Sequence, residues 1–325
     1  MLLAPLVLAL AEASAPIALW QDPVVEVHPS VELRSNWAAG TKRALVLVKE
    51  RQDETRGKSG PIVVSTTTLD FAVEAKDDAG FTTSWLYRTS KVDAGNPIAS
   101  IVSTKVASAY EGWTLRLHHD PDGAVESIVD AEAARTKLLD LMDDVVETLA
   151  KQPNTKPKDA EVLRKAMEAS KAVLDEATFA ATVLKDPQMI FCWCGAALEV
   201  GKKVEYEDAL PIPFASEPIS THASIELVRH DAQQGEAELE WHQVLDAEQT
   251  KTAIAATLGK LAEKMGKPPP TAAELPPFEI VDEGRWILDT TTGLPKDVVW
   301  TRRVHSEELV RTETLRATFQ PVGVK

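Results

Sequence analysis

Cys192 and Cys194 are the only thiols in the chain, and a single residue separates them. A C-x-C spacing closes a very small disulfide ring, which strains the bond, and the flanking Phe191 and Trp193 point to burial. Two thiols alone do not complete a tetrahedral zinc site, and no His stands at finger spacing from them. Inert buried thiols, a strained structural or redox-active disulfide, and a metal role all stay open for the pair. Nothing electropositive nearby in sequence would lower either pKa.

A second constellation comes from the stretch Thr221 to Leu245, which reads as a hairpin. Ala223, Ile225 and Leu227 on one strand and Ala237, Leu239 and Trp241 on the other must share the apolar face, so facing residues have numbers that add to an even total. The turn from Asp231 to Gly235 sets His230 opposite Glu236, which puts Glu226 opposite Glu240 and His222 diagonal to His242 on the polar face. Two imidazoles and two carboxylates then share one patch. Facing like charges repel unless a cation or a protonated His lies between them. The patch is therefore either a weak metal site (His222, His242, Glu226, Glu240) or a solvated face on which screening keeps the repulsion small.

The remaining motifs point away from catalysis. No G-x-S-x-G elbow, H-E-x-x-H helix or G-x-G-x-x-G loop occurs. Gly57-Lys58-Ser59 ends like a phosphate loop, but Gln52 stands where its first glycine belongs. Asp120 and Asp122 flank Pro121 ahead of Gly123, which is turn chemistry before it is calcium ligation. His118 lies outward with Thr114 and Arg116, and His305 lies near a strand end. No cofactor is expected.

The elements that must position these groups are mostly strands. From Val63 the odd positions Val63, Leu69, Phe71, Val73 and Ala75 alternate with Thr66, Thr68, Asp70, Glu74 and Lys76, Asp77 to Gly80 is a turn, and Phe81, Trp85 and Tyr87 resume the alternation. Lys42 to Arg51, Trp113 to His118 and Ala124 to Val129 read the same way. Helical spacing then takes over with Leu138, Leu141, Met142, Val145, Val146 and Leu149. A second helix is expected from Asp159 to Lys185, stopped by Pro187. Strands return over Leu198 to Tyr206 and in the hairpin, a shorter helix carries Ile254, Leu258, Leu261 and Met265, and a proline-rich connector leads to three last strands. Strands and helices in separate blocks indicate an α+β fold: a long-stranded, strongly curved, half-barrel-like antiparallel sheet with amphipathic helices laid into its apolar face. One large domain over 16–325 is expected, its two sheet halves, about 20–130 and 196–325, linked by the helices of 130–186. Eight tryptophans against three tyrosines would mostly lie on the concave face, as core or as the lining of a cavity.

The chain has 325 residues, 44% of them hydrophobic, which excludes disorder as its main state, and a net charge of −15, which repels nucleic acid and anionic membrane surfaces. Residues 1–15 read as a signal peptide, with an apolar run from Leu2 to Ala11 and the small-x-small Ala13-Ser14-Ala15. Glu12 and Pro16 interrupt that run well short of the roughly 20 residues of a membrane helix, so no transmembrane segment is expected. The expected location is periplasmic or secreted.

Leu198 to Tyr206, Gly284-Arg285-Trp286-Ile287-Leu288-Asp289 and Thr292-Gly293-Leu294-Pro295 resemble phrases of an uncharacterised family of bacterial secreted proteins. Val204 or Tyr206 stands where that family's first phrase has Trp. The order of elements resembles, more loosely, the half-barrel of periplasmic lipoprotein carriers. The resemblance implies an envelope location and an apolar ligand and carries no catalytic residue. The expected function is non-enzymatic binding of an apolar small molecule, a lipid or an envelope protein in a curved-sheet cavity. The alternative is a metal-dependent or redox activity at the His222/His242 patch or at Cys192 and Cys194.

Overall fold

A computed structural model describes residues 30–93, 104–105, 108–152, 155–210, 218–264, 266 and 268–322; the expected leader at 1–15 lies outside them. In chain order the described elements are β1 (Val31–Glu32), β2 (Lys42–Thr55), β3 (Lys58–Ser59), β4 (Val63–Asp77), β5 (Gly80–Asp93), β6 (Thr114–His119) and β7 (Val125–Ile128). Three helices follow, α1 (Ala131–Ala150), α2 (Pro157–Val173) and α3 (Glu176–Ile190). Then come β8 (Ala197–Leu198), β9 (Lys203–Leu210), β10 (Ile219–Asp231), β11 (Glu236–Leu245), α4 (Ala247–Lys264), a 3₁₀ turn (Ala272–Glu274), β12 (Phe278–Asp289), β13 (Leu294–Ser306) and β14 (Leu309–Pro321).

The fold is α+β. A 12-stranded antiparallel sheet runs in the order β7-β6-β5-β4-β2-β14-β13-β12-β11-β10-β9, with β3 hung on β2, and β1 pairs with β8 in a separate small sheet. The pairing of β14 with β2, from Leu309 opposite Thr55 to Pro321 opposite Arg43, joins the two chain halves into one sheet. That sheet is curved like a half-barrel and does not close, so β7 and β9 are its edges.

Parity decides what each face carries. Leu45, Leu47, Leu69, Phe71, Val73, Phe81, Trp85, Leu115 and Leu117 are all buried, whereas the positions of opposite parity between them are half-buried or exposed. α3 lies directly on this inner face against β7 and β13, and α4 lies on β10 and β12; α1 rests on α2 and α3, and α2 on α4, forming a second helical layer. The turn after α3 drives Phe191 and Trp193 into the centre, where Phe191 meets Trp37, Phe71, Trp85, His119 and Phe319 at ring separations of 5.3 to 6.5 Å. Trp37, Trp85, Trp193 and Trp286 are fully buried, so these tryptophans are used as core.

Two helix boundaries differ from the periodicity. The expected single helix from Asp159 to Lys185 is broken at Leu174–Asp175, because the Asp175 carboxylate accepts the backbone N–H of Thr178 at 2.8 Å and caps a new helix. Nor does Pro187 stop α3. It sits in the last turn, where its carbonyl still takes the N–H of Phe191, and the helix reaches Ile190. The expected strand from Leu198 is likewise split, with Gly201 in a left-handed turn between β8 and β9.

Two glycine turns hold the end of the sheet. Gly123, at φ +103°, is approached so closely by Ser35 that a Cβ would lie 1.9 Å from its Oγ, and a Cβ on Gly293 would lie 2.3 Å from the carbonyl of Arg34. The segment bearing Trp37 is thus pinned across both turns.

Candidate functional site

On the outer face, β10 and β11 pair in the expected register, with Glu226 opposite Glu240, and with His222 (opposite Val244) diagonal to His242 (opposite Ser224). His230 does not face Glu236. The register slips by one between Leu227 and Arg229, setting His230 opposite Ala237, and the Leu227 carbonyl turns out of the ladder to accept the N–H of Gly201. Glu226, Glu240 and His242 line a groove of about 450 Å³, together with Lys203, Glu283 and Arg285. His222, exposed one row away, stays outside it.

The neighbouring strands supply what the hairpin alone lacks. Lys203 is the register partner of Glu226 and Arg285 that of Glu240, so the row reads Lys–Glu–Glu–Arg across four strands. Arg285, however, is held by Glu238 at 2.6 Å, which lowers the Glu238 carboxyl below its usual range. Among the described residues no group of three or more His, Cys, Asp and Glu converges as metal ligands do. The arrangement is a charged trough on a wet sheet face.

Cys192 and Cys194 are free thiols. Burial pushes Cys192 up to about 12 and Cys194 well above the ordinary range, against the pull of a Ser35 hydroxyl 3.7 Å from the Cys194 sulfur. A thiol so disfavoured as thiolate is a poor nucleophile and a poor metal ligand. Asp120 accepts the N–H groups of Gly123 and Ala124 at 2.7 and 2.8 Å, which is turn capping. Gly57-Lys58-Ser59 lies in the tight β2–β3 hairpin with no helix after it.

Two inner-face features escaped the motif reading. The first is a belt of polar side chains at core parity on consecutive strands: Gln243, Asp282, Arg302, Glu313 and Arg51 stand side by side in register from β11 to β2. Arg302 and Asp282, 2% and 0% exposed, form a two-pronged pair at 2.7 Å. One row further, Arg311 grips Asp53 at 2.6 Å. Burial alone would raise the Asp53 carboxyl, but Arg311 and Arg51 hold it below its usual value. Lys185 of α3 reaches within 3.8 Å of Glu313 and lies over the Trp300 ring. The belt separates the main core from a smaller cluster of Ile219, Leu245, Ala253, Ile280 and Val304 under α4. Its signal in the sequence was a charge at the apolar parity of several strands.

The second feature is a seam. Tyr87, Tyr110 and Trp113 stack with ring separations of 5.2 to 5.7 Å, and the ammonium of Lys137 from α1 lies 5.3 Å from the Trp113 ring. Lys49 and Asp186 pair nearby. Burial, with the neighbouring Tyr110 and Asp186, raises the Tyr87 hydroxyl far above its ordinary pKa. Leu138, Leu139 and Met142, in the same helix as Lys137, are like Tyr87 and Trp113 apolar side chains that pack against the core and are only half buried.

No family model and no curated protein matches the chain. Among solved structures it is similar to one titled lipid-protein interactions in lipovitellin, at 5% identity and a TM-score of 0.38; the likeness covers 89% of this chain and 26% of that one. It is also similar to DynF from the dynemicin biosynthesis pathway of Micromonospora chersina, at 6% identity and a TM-score of 0.20 over 94% of this chain and 92% of that one. A third is Pseudomonas aeruginosa OccK2 (OpdF) in complex with glucuronate, at 6% identity and a TM-score of 0.20 over 86% and 96%. At these scores none places the chain in a family, and among the described residues no helix is long and apolar enough to cross a membrane.

Proposed function

We propose that this chain is a binding protein of the cell envelope that holds an apolar small molecule in the seam between α1 and the inner face of β5 and β6. The observation that carries the reading is the half-buried apolar set Tyr87, Trp113, Leu138, Leu139 and Met142, which joins an aromatic stack to one helix at the margin of the buried core. Half-buried apolar surface gains by a further apolar contact, at about 25 cal/mol per Å². α1 packs chiefly on α2 and α3, so it can part from the aromatic stack without breaking a sheet hydrogen bond. Lys137 beside Trp113 offers the ligand's polar end a charge. The apolar run from Leu2 to Ala11, read as part of a leader, supports the envelope location.

Native mass spectrometry after gentle extraction from the source tests this directly, and a retained non-protein mass that organic solvent removes is the expected result. The double substitution Leu138→Asp and Met142→Asp should release it while leaving the fold intact by circular dichroism. Undiminished retention in that variant would place the ligand elsewhere. A retained polypeptide would make the seam a partner-docking surface, and the absence of any retained mass, with no binding of an apolar fluorescent probe, would refute the reading.

A further inference from the structure

The inner-face acids are matched one by one with cations: Asp282 with Arg302, Asp53 with Arg311 and Glu313 with Lys185. Asp208, on edge strand β9, is the exception, forming no ion pair among the described residues. Its Oδ1 accepts the N–H of Ala209 at 2.7 Å, while Oδ2 is covered from solvent and has no hydrogen-bond partner. The register sets Asp208 beside Thr221, and Thr221 accepts the side-chain amide N–H of Gln243 at 2.7 Å. The oxygen of that same amide, on a side chain 1% exposed, is also covered and unpartnered. Two acceptor oxygens on either side of one threonine thus lack any donor, although buried acceptors are ordinarily satisfied. Between Tyr206 and Gln243 the inner face carries only the methyl group of Ala223.

From this geometry we infer that the inner face at β9, β10 and β11 binds one monovalent cation of ammonium or potassium size between Asp208 Oδ2, Gln243 Oε1 and Thr221 Oγ1. The donor set is oxygen only, which suits a hard cation and not a thiophilic or imidazole-seeking metal. It holds one carboxylate, whereas calcium and magnesium sites gather several charged oxygens or waters. The carboxyl of Asp208 is raised by its own burial, against the pull of the Ala209 N–H, as expected of a desolvated acid that lacks its counter-charge. A free inorganic ion and the primary ammonium of an organic ligand present the same chemistry here.

The test compares thermal unfolding of the full chain, dialysed free of potassium, in potassium, sodium, methylammonium and choline chlorides at equal ionic strength. The expected result is a saturable rise in midpoint of roughly 2–4 °C with potassium or methylammonium over choline, and about one retained ion per chain after dialysis. Potassium acting alone assigns the site to an inorganic ion; methylammonium acting alone assigns it to an organic amine. The rise should be lost in Asp208→Asn and in Gln243→Met, and Gln243→Glu should tighten binding. Equal midpoints in all four salts would mean that water alone serves these oxygens and would overturn the inference, as would an undiminished rise in Asp208→Asn. If Asp208→Asn does not fold, Gln243→Met and the salt comparison on the unaltered protein decide the matter. Failure here leaves the apolar seam untouched, since none of the three oxygens lines it.

Discussion

One buried histidine should contribute to the acid destabilisation of this protein. His119 on β6 is 0% exposed, with its ring 5.1 Å from Trp37 and 5.4 Å from Phe191, edge to face. Its Nδ1 lies 2.9 Å from the carbonyl of Gly123, which only accepts, so Nδ1 carries the proton, and Nε2, 2.9 Å from the Thr83 hydroxyl, accepts from it. Both nitrogens are therefore satisfied in the neutral ring. Burial drives the pKa from 6.5 to about 4, against the opposing pull of the Gly123 carbonyl. Above pH 6.5 neither the folded nor the unfolded chain protonates this ring, and the stability is whole. Between 6.5 and 4 only the unfolded chain takes up the proton, so stability falls as pH falls. At roughly 1.4 kcal/mol per unit the loss reaches about 3 kcal/mol by pH 4 and then levels. Carboxylates titrate over the lower part of the same window, so the readout is a difference between two proteins. Urea unfolding from about pH 7.5 to 4 should give a shallower pH dependence in His119→Asn, which keeps a donor for Gly123 and does not titrate, even though that variant starts less stable. Parallel pH curves for the two proteins would refute the reasoning, because His119 would then titrate alike in both states.

Other substitutions test the two faces of the sheet. Trp241 is 5% exposed, donates from Nε1 to the Tyr206 hydroxyl at 2.9 Å and meets Trp286 edge to face, so Trp241→Ala should cost about 3–5 kcal/mol in denaturant unfolding. Its exposed neighbour Glu240, facing Glu226, should stay within roughly 0.5 kcal/mol on substitution by Ala, and equal effects would contradict the assigned parity. Arg302→Met, which strands the fully buried Asp282 carboxylate, should cost about 3–5 kcal/mol, whereas the double variant with Asp282→Leu should recover most of it; a double variant as unstable as the single one would show that the pair is needed beyond its own neutralisation.

The strands and their inward faces were legible in the sequence, because the side-chain period of two ties parity to burial without reference to any partner. Phe81, Trp85 and Tyr87 on one strand and Leu227, Leu239 and Trp241 on the hairpin point inward as their spacing requires. The pairing of Glu226 with Glu240 followed from the same rule, since turn and alternation together set a local register. Contacts between residues far apart in the chain were not legible. Lys203 and Arg285 complete the outer charge row only through strands whose order no local pattern specifies, and the joining of β2 to β14 is a choice among many possible edges. The split at Asp175 turned on one capping hydrogen bond that competes with an otherwise continuous helical stripe. The polar belt is the plainest case. Asp282, Arg302 and Arg311 stood in view at apolar positions, but a buried charge is tolerable only beside its counter-charge, and which strand supplies it is decided by tertiary pairing alone.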